Sequence, residues 1–317
     1  MSAVLLCAVA LLLGQKGPLA AGQTTSSGKP CDYACLTSIV DQYLAALAAH
    51  DPSKIATTAN VRFTENTIPL KLGDALWRTM SGMGSYKLYF ADVQAGTAGI
   101  VATIRENGTP VILLVRLKVL NHRISEAEQL VHRGEGAEAL EKMGVNPVWV
   151  QALEPAQRVP RAEMIKIANS YFEGILHSSG DSVPFDLRCN RVLDGFQDVN
   201  NPTSKGWFNN DKFRPDAMNI RDNMNMPIWT YIHSIDPRRF AVIDEKIGFV
   251  LVMTMYNHWG DVPFADVPGV GKIEMPAVTR RPSSLAAGEF FKIEGGKIRE
   301  VEGVTVALPY GAKTGWE

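Results

Sequence analysis

Arg116 and Lys118 stand two residues apart in VILLVRLKVL, residues 111–120, a run otherwise built of Val, Ile and Leu. Turn chemistry at both ends (Asn107-Gly108, then Asn121) marks this run as a strand. Side chains alternate along a strand, so Val111, Leu113, Val115, Leu117 and Val119 share one wholly apolar face. Ile112, Leu114, Arg116, Lys118 and Leu120 share the other. A solvated face seldom aligns that many aliphatics, and a plain core seldom carries two cations, because a buried unpaired charge is costly. Two readings fit: the wall of an apolar pocket holding charged groups, or an interface with snorkelling Arg and Lys stems. In a pocket, a lysine desolvated beside a permanent cation gives up its proton readily and becomes a usable base. Lys118 is then the expected proton acceptor, and Arg116 the holder of an alkoxide, phenolate or carboxylate.

An acid would have to come from Glu65, Asp92 or a tyrosine such as Tyr43, Tyr86 or Tyr89. Glu65 and Asp92 can equally be structural ion-pair partners of the same two cations. Trp77, Phe63 and Phe90 could stack on an aromatic ligand or simply fill a core, and Asn66 with Tyr89 joins the candidate ligand contacts. His122 closes the key strand and reads either as a proton shuttle or as a surface turn residue. A second set lies further on: Asp186, Arg191, Asp244, Tyr256 and His258. Arg191 with Asp244 reads as a structural salt bridge, and Tyr256 and His258 share a strand face. There is no G-x-G-x-x-G after a strand, no P-loop, no H-E-x-x-H and no paired Cys-x-x-Cys. The six histidines are scattered, so neither a cofactor nor a metal is expected.

The elements that must position these groups come in two rounds. Leu36, Ile39, Val40, Tyr43, Leu44 and Leu47 recur at helical spacing, and Asp51-Pro52 ends that helix. A short helix is expected over residues 52–59. Strands are expected over 61–66, 68–72, 86–94, 99–105, 111–120 and 124–131, with a loose segment at 81–84. Residues 134–160 carry charge and prolines and read as a connection. Met164, Ile167, Ala168, Tyr171, Phe172 and Ile175 then mark a second amphipathic helix. Strands are expected near 188–196, 239–244 and 247–256, with a long polar loop at 197–215 and a hairpin turning at Gly295-Gly296. TIRENGTPVILLVRLKV and VIDEKIGFVLVMTMYNH each place a charged turn before a long apolar strand, so the two rounds read as a tandem repeat of one α+β fold.

Hydrophobic content of 46% and charged content of 21% are those of a globular protein. A formal charge of −1, with no basic run carrying interleaved aromatics, argues against nucleic acid or an anionic membrane as partner. The apolar run 3–13, followed by Ala20-Ala21-Gly22, reads as a signal peptide over residues 1–22. Export and no membrane segment in the mature chain are therefore expected. Residues 23–32 form a flexible lead-in, 33–133 a first domain, 134–160 a linker and 161–317 a second domain. Cys31 and Cys35 sit four apart at a helix head, within disulfide range. Cys189 is a buried thiol or, given a histidine partner, a nucleophile.

Asn60, Phe63, Thr64, Glu65 and Asn66, then LGDALWRT (72–79) and RLKV (116–119), resemble the nuclear-transport-factor-2-like (SnoaL-like) superfamily. ANSYFEGI (168–175), VPF (183–185), CNRVLDG (189–195) and VIDEKIG (242–248) are similar to the companion pattern. The resemblance implies two tandem cone-shaped α+β domains, each with helices packed on a strongly curved antiparallel sheet. It covers nearly the whole mature chain, except that the loop 197–215 is long for the pattern. The fused, exported members that the chain looks closest to include cofactor-independent lyases of lignin catabolism, which release formaldehyde from diarylpropane-type alcohols. By analogy, the resemblance implies a cofactor-free lyase for a small aromatic alcohol. A dehydratase or isomerase with the same pocket, or a binding protein without chemistry, is the alternative. Association through the sheets into a homo-oligomer is also expected.

Overall fold

The computed structural model describes residues 30–204, 207–208 and 212–317. The expected signal peptide and nearly all of the lead-in lie outside the described residues. Helix α1 (Tyr33–Ala48) begins where the Asp32 side chain accepts from Cys35 N at 3.0 Å. Its buried stripe is the expected one, Leu36, Ile39, Val40, Tyr43, Leu44 and Leu47. Residues 52–54 make a single 3₁₀ turn instead of a second helix, and strand β1 (Thr57–Glu65) starts at once. β2 (Ile68–Leu70), β3 (Met80–Asp92), β4 (Thr97–Glu106), β5 (Thr109–Leu120) and β6 (Arg123–His132) complete the first sheet. The segment 81–84, expected to be loose, is the start of β3. Two-residue turns with both φ positive join five of the hairpins: Asn66-Thr67, Asn107-Gly108, Asn121-His122, Asp194-Gly195 and Gly295-Gly296.

The second half repeats the plan. Helix α3 (Arg161–Leu176) follows the short α2 (Ala137–Met143). β7 (Phe185–Leu193), β8 (Phe196–Gln197), a five-residue α4 (Ile220–Met224), β9 (Ser234–Asp244) and β10 (Phe249–His258) come next. A small hairpin of β11 (Phe264–Val267) and β12 (Gly271–Glu274) precedes β13 (Ser283–Glu294) and β14 (Lys297–Pro309). The first sheet runs β2-β1-β6-β5-β4-β3 and the second β8-β7-β14-β13-β10-β9, one topology twice. Neither sheet is wholly antiparallel: β1 runs parallel to β6, and β7 to β14. The repeat is also in a different register from the one the sequence suggested. By position in the sheet, β10 corresponds to β4, and β5 corresponds to β13.

Helix α1 covers one face of the first sheet and α3 one face of the second. The remaining faces pack on each other through Leu88, Phe90, Ile112, Leu114, Phe249, Leu251, Met253 and Phe290, giving helix–sheet–sheet–helix layers. Gly288 permits this, since a Cβ there would meet Leu114 Cδ1 at 2.6 Å. The expected linker is part of the core: Trp149 is fully buried against Phe249 and Phe290. Residues 31–317 form one unit. Among the described residues, no helix is long and apolar enough to cross a membrane. A disulfide joins Cys31 to Cys35 with Cα atoms 5.2 Å apart.

Glu302 lies within the sheet–sheet layer, accepting from Tyr86 Oη at 2.8 Å and Trp149 Nε1 at 2.5 Å. Burial pushes its carboxyl up to about 7, above its ordinary value of 4.5. The native state therefore favours the protonated form, and the stability this brings is complete below about 4.5 and lost as pH rises through about 7. Thermal unfolding should show a Tm that declines over this window, and Glu302→Gln should flatten the decline.

Candidate functional site

The charged face of β5 lines neither of the two cavities found among the described residues. Ile112 and Leu114 are buried between the sheets. Arg116, 4% exposed, donates to Glu128 at 2.9 Å and to Glu126 at 2.8 Å, while Arg239 of β9 pairs with the other oxygen of Glu128. The Trp316 indole lies 4.4 Å from the Arg62 guanidinium, 4.8 Å from that of Arg116 and 5.5 Å from that of Arg239. Lys118 donates to the Ala95 carbonyl. These cations hold the C-terminal tail and the second half in place, so the interface reading replaces the pocket reading. The opposite face of β5 is sealed beneath α1.

The other first-half candidates are structural too. Glu65 accepts from Leu76 N and Gln129 and pairs with Arg133 at 2.8 Å. Asp92 pairs with Arg161 at 2.6 Å and caps Ile243 N. Their partners are thus other arginines, Arg133 just after β6 and Arg161 of α3, and not Arg116 or Lys118. Tyr43, Phe63 and Trp77 are core, with Tyr43 donating to Gln129. Asn66 holds both backbone groups of Val131 from a left-handed turn. Tyr89 donates to Asp41 and, with Asp92, borders an open groove of about 590 Å³ between the halves. His122 is an exposed turn residue at φ 60°. Its ring comes within 4.8 Å of the Cys31 and Cys35 sulfurs, which are bonded to each other.

The arrangement that can do chemistry is in the second half, where a cavity of about 560 Å³ opens between the second sheet, α3 and the residues around α4. Val250, Val252 and Tyr256 of β10 turn to this side, whereas Leu251, Met253 and Met255 turn to the sheet–sheet layer. On β13 the same alternation delivers Glu289 on the face of Phe291 and Ile293. Gly303 lies directly opposite Glu289, and a Cβ there would stand 3.0 Å from Glu289 Cγ. That missing side chain makes room for the carboxylate.

Glu289 accepts from Tyr256 Oη on one oxygen and from Tyr171 Oη at 3.4 Å on the other. Arg191 of β7, 1% exposed, pairs with Asp198 at 2.9 Å and donates to Asn223 at 3.0 Å beneath the Trp229 ring. Burial raises Glu289 to about 7, and the Tyr256 hydrogen bond and the Arg191 charge keep it from going higher. Burial and the Glu289 charge push the hydroxyls of Tyr171 and Tyr256 well above their ordinary value, so both stay neutral donors. Trp207, Phe208, Trp229 and Tyr231 supply aromatic wall. His258 borders the same cavity, its Nε2 2.6 Å from Ser283 Oγ. Burial and the neighbouring His233 lower the His258 imidazole, which leaves it neutral at pH 7. This is a buried carboxylate poised near neutral pH, with neutral hydroxyl donors, in an aromatic chamber: equipment for proton transfer.

A family model described as a domain of unknown function (DUF8021) matches residues 157–305. No curated protein matches the chain. The matched span runs from just before α3 into β14 and contains every cavity residue named above.

Of the sequence candidates, Tyr256 and His258 line the cavity. Arg191 does as well, but its partner is Asp198 and not Asp244, which borders the inter-half groove. Sequence reasoning misses Glu289 and Ser283, and it places Tyr171 only on a helix stripe. Glu289 had a readable signal, as the one carboxylate on a strand face otherwise holding Phe291 and Ile293. Cys189 is fully buried and its thiol is pushed far up, chiefly by burial, so it is a structural thiol.

Arg116→Ala leaves Glu128 short of a partner in a buried layer. It should destabilise the protein by about 3 kcal/mol in denaturant unfolding and leave ligand affinity of the second-half cavity unchanged.

Proposed function

We propose that the chain is a cofactor-independent acid–base enzyme for small aromatic alcohols, working in the cavity of its second half with Glu289 as the proton acceptor. The observation that carries this reading is the Glu289 carboxylate, raised to about 7 between two tyrosine hydroxyls. A group with that affinity for protons can both take and return one at neutral pH. The aromatic walls suit a ring-bearing substrate. We further propose that each half is a nuclear-transport-factor-2-like cone, that the first is filled and serves as a structural partner, and that the chain is exported.

The resemblance to formaldehyde-releasing lyases supplies the reaction. Glu289 takes the proton of a terminal hydroxymethyl group, and the adjacent carbon–carbon bond breaks to release formaldehyde. The freed electron pair forms a carbon–carbon double bond as the neighbouring benzylic hydroxyl leaves. Glu289 returns its proton to that oxygen, which departs as water. Tyr171 and Tyr256 stay neutral and hold the carboxylate in place.

Purified protein incubated with diarylpropane diols should release one formaldehyde per alkene formed. kcat/KM should rise with pH through about 7, because Glu289 must lose its proton to act. Glu289→Gln should lower kcat by about 10²–10⁴-fold, while Tyr256→Phe should shift the midpoint of the pH profile. A product one water lighter without formaldehyde would identify a dehydratase in the same cavity. Thermal stabilisation by aromatic ligands with no turnover would sink the enzymatic reading.

A further inference from the structure

The cavity carries a second pair of reactive groups that the Glu289 chemistry does not use. Residues directly opposite in an antiparallel pair bring their Cβ atoms within about 5 Å. The β10–β13 register sets His258 opposite Ser283, Asn257 opposite Ser284 and Tyr256 opposite Leu285. The alternation sends Ser283 and His258 to the cavity side, where both line the wall, and the register brings Ser283 Oγ to 2.6 Å from His258 Nε2. The imidazole is 7% exposed and lies edge-on to the Tyr231 ring, with centroids 5.2 Å apart. Ser283 is half-buried, so its hydroxyl is reachable while its base is shielded. Leu285, Val278 and Tyr231 supply an apolar lining beside it.

We propose that Ser283 and His258 form a nucleophile–base pair that accepts the acyl group of small hydrophobic esters. Ser283 Oγ attacks the ester carbonyl carbon and its proton passes to His258 Nε2. The carbon–oxygen bond to the alcohol breaks, and the leaving alkoxide collects that proton from His258. Water, deprotonated by the same nitrogen, then releases the acid and restores Ser283. The ester and water are the only reactants the reaction sequence consumes. His233 lies beside the imidazole, and Asp261 is 3.5 Å from His233 Nε2. Among the described residues, His258 Nδ1 has no hydrogen-bond partner, so no carboxylate there steadies the imidazolium that forms during the reaction. The pair is therefore suited to activated esters, and the acyl-enzyme should outlast its formation.

The full chain is mixed with 4-nitrophenyl butyrate, quenched, and mapped by peptide mass spectrometry. The expected result is a burst of about one nitrophenolate per chain followed by slow turnover, with the butyryl group on Ser283. Ser283→Ala should lose the burst, and His258→Gln, retaining the wild-type melting curve, should acylate at least ten-fold more slowly. A wild-type chain left unmodified at Ser283 under saturating ester overturns the proposal, and this measurement needs no variant to fold. Equal acylation rates in wild type and folded His258→Gln also overturn it. Formaldehyde release through Glu289 is read separately, so either assignment can fail without the other.

Discussion

The contact between the backs of the two sheets decides where chemistry is possible. Each sheet has two faces, and in each half one is covered by a helix. The other is consumed by its counterpart, through stacked rings such as Phe90 on Phe249, centroids 4.9 Å apart. Polar groups on the sheet–sheet side have to be largely paired, because water is excluded there. Arg116 pairs with Glu128 and Glu126, leaving its Nη2 without a hydrogen-bond partner among the described residues, and Glu302 has its two donors. Apart from the groove that Asp92 borders between the halves, the space left for a cavity is between a sheet and its helix. In the first half Tyr43, Trp77 and Phe63 fill that space. In the second, the residues around α4, with Val278 and Thr279, stand across from the sheet and leave a hollow between.

Much of the architecture was legible in the chain. The stripes of α1 and α3, the Asn107-Gly108 and Gly295-Gly296 turns and the Cys31–Cys35 pair all follow from local chemistry, and all are where the residues put them. The α+β repeat was visible too, but its alignment slipped by one strand. VILLVRLKVL matched FVLVMTMYNH in composition, yet the first is the fourth strand of its sheet and the second the fifth. Composition reports how deeply a strand is buried, and both are central. It carries no information about position in the sheet, which depends on pairings far apart in sequence.

The site was less legible for a related reason. A face that mixes aliphatics with two cations describes a pocket wall and a charged interface equally well. What separates them is the identity of the partner layer: Glu126 and Glu128 lie on the next strand, but Arg239 of β9 and Trp316 at the end of the chain are far from Arg116 in sequence. Glu289 presents the converse case. One carboxylate between a glycine and two phenylalanines looks like an edge-strand solubility residue until Gly303, Tyr171 and Tyr256 are brought around it.

The two halves therefore share a topology and differ in where they place their unmatched charge. In the first half both candidate carboxylates meet an arginine, Glu65 with Arg133 and Asp92 with Arg161, and Glu128 pairs with Arg116. In the second, the cavity arginine is already taken by Asp198, and Glu289 is left with neutral hydroxyls. A buried carboxylate without a dedicated cation is expensive, and the carboxyl responds by holding its proton to about 7. Glu302 shows that such a group also occurs in a packed layer, so what sets Glu289 apart is the cavity it lines. An apolar chamber retaining it, beside aromatic walls and opposite a glycine that clears its space, is the configuration expected where a proton has to move.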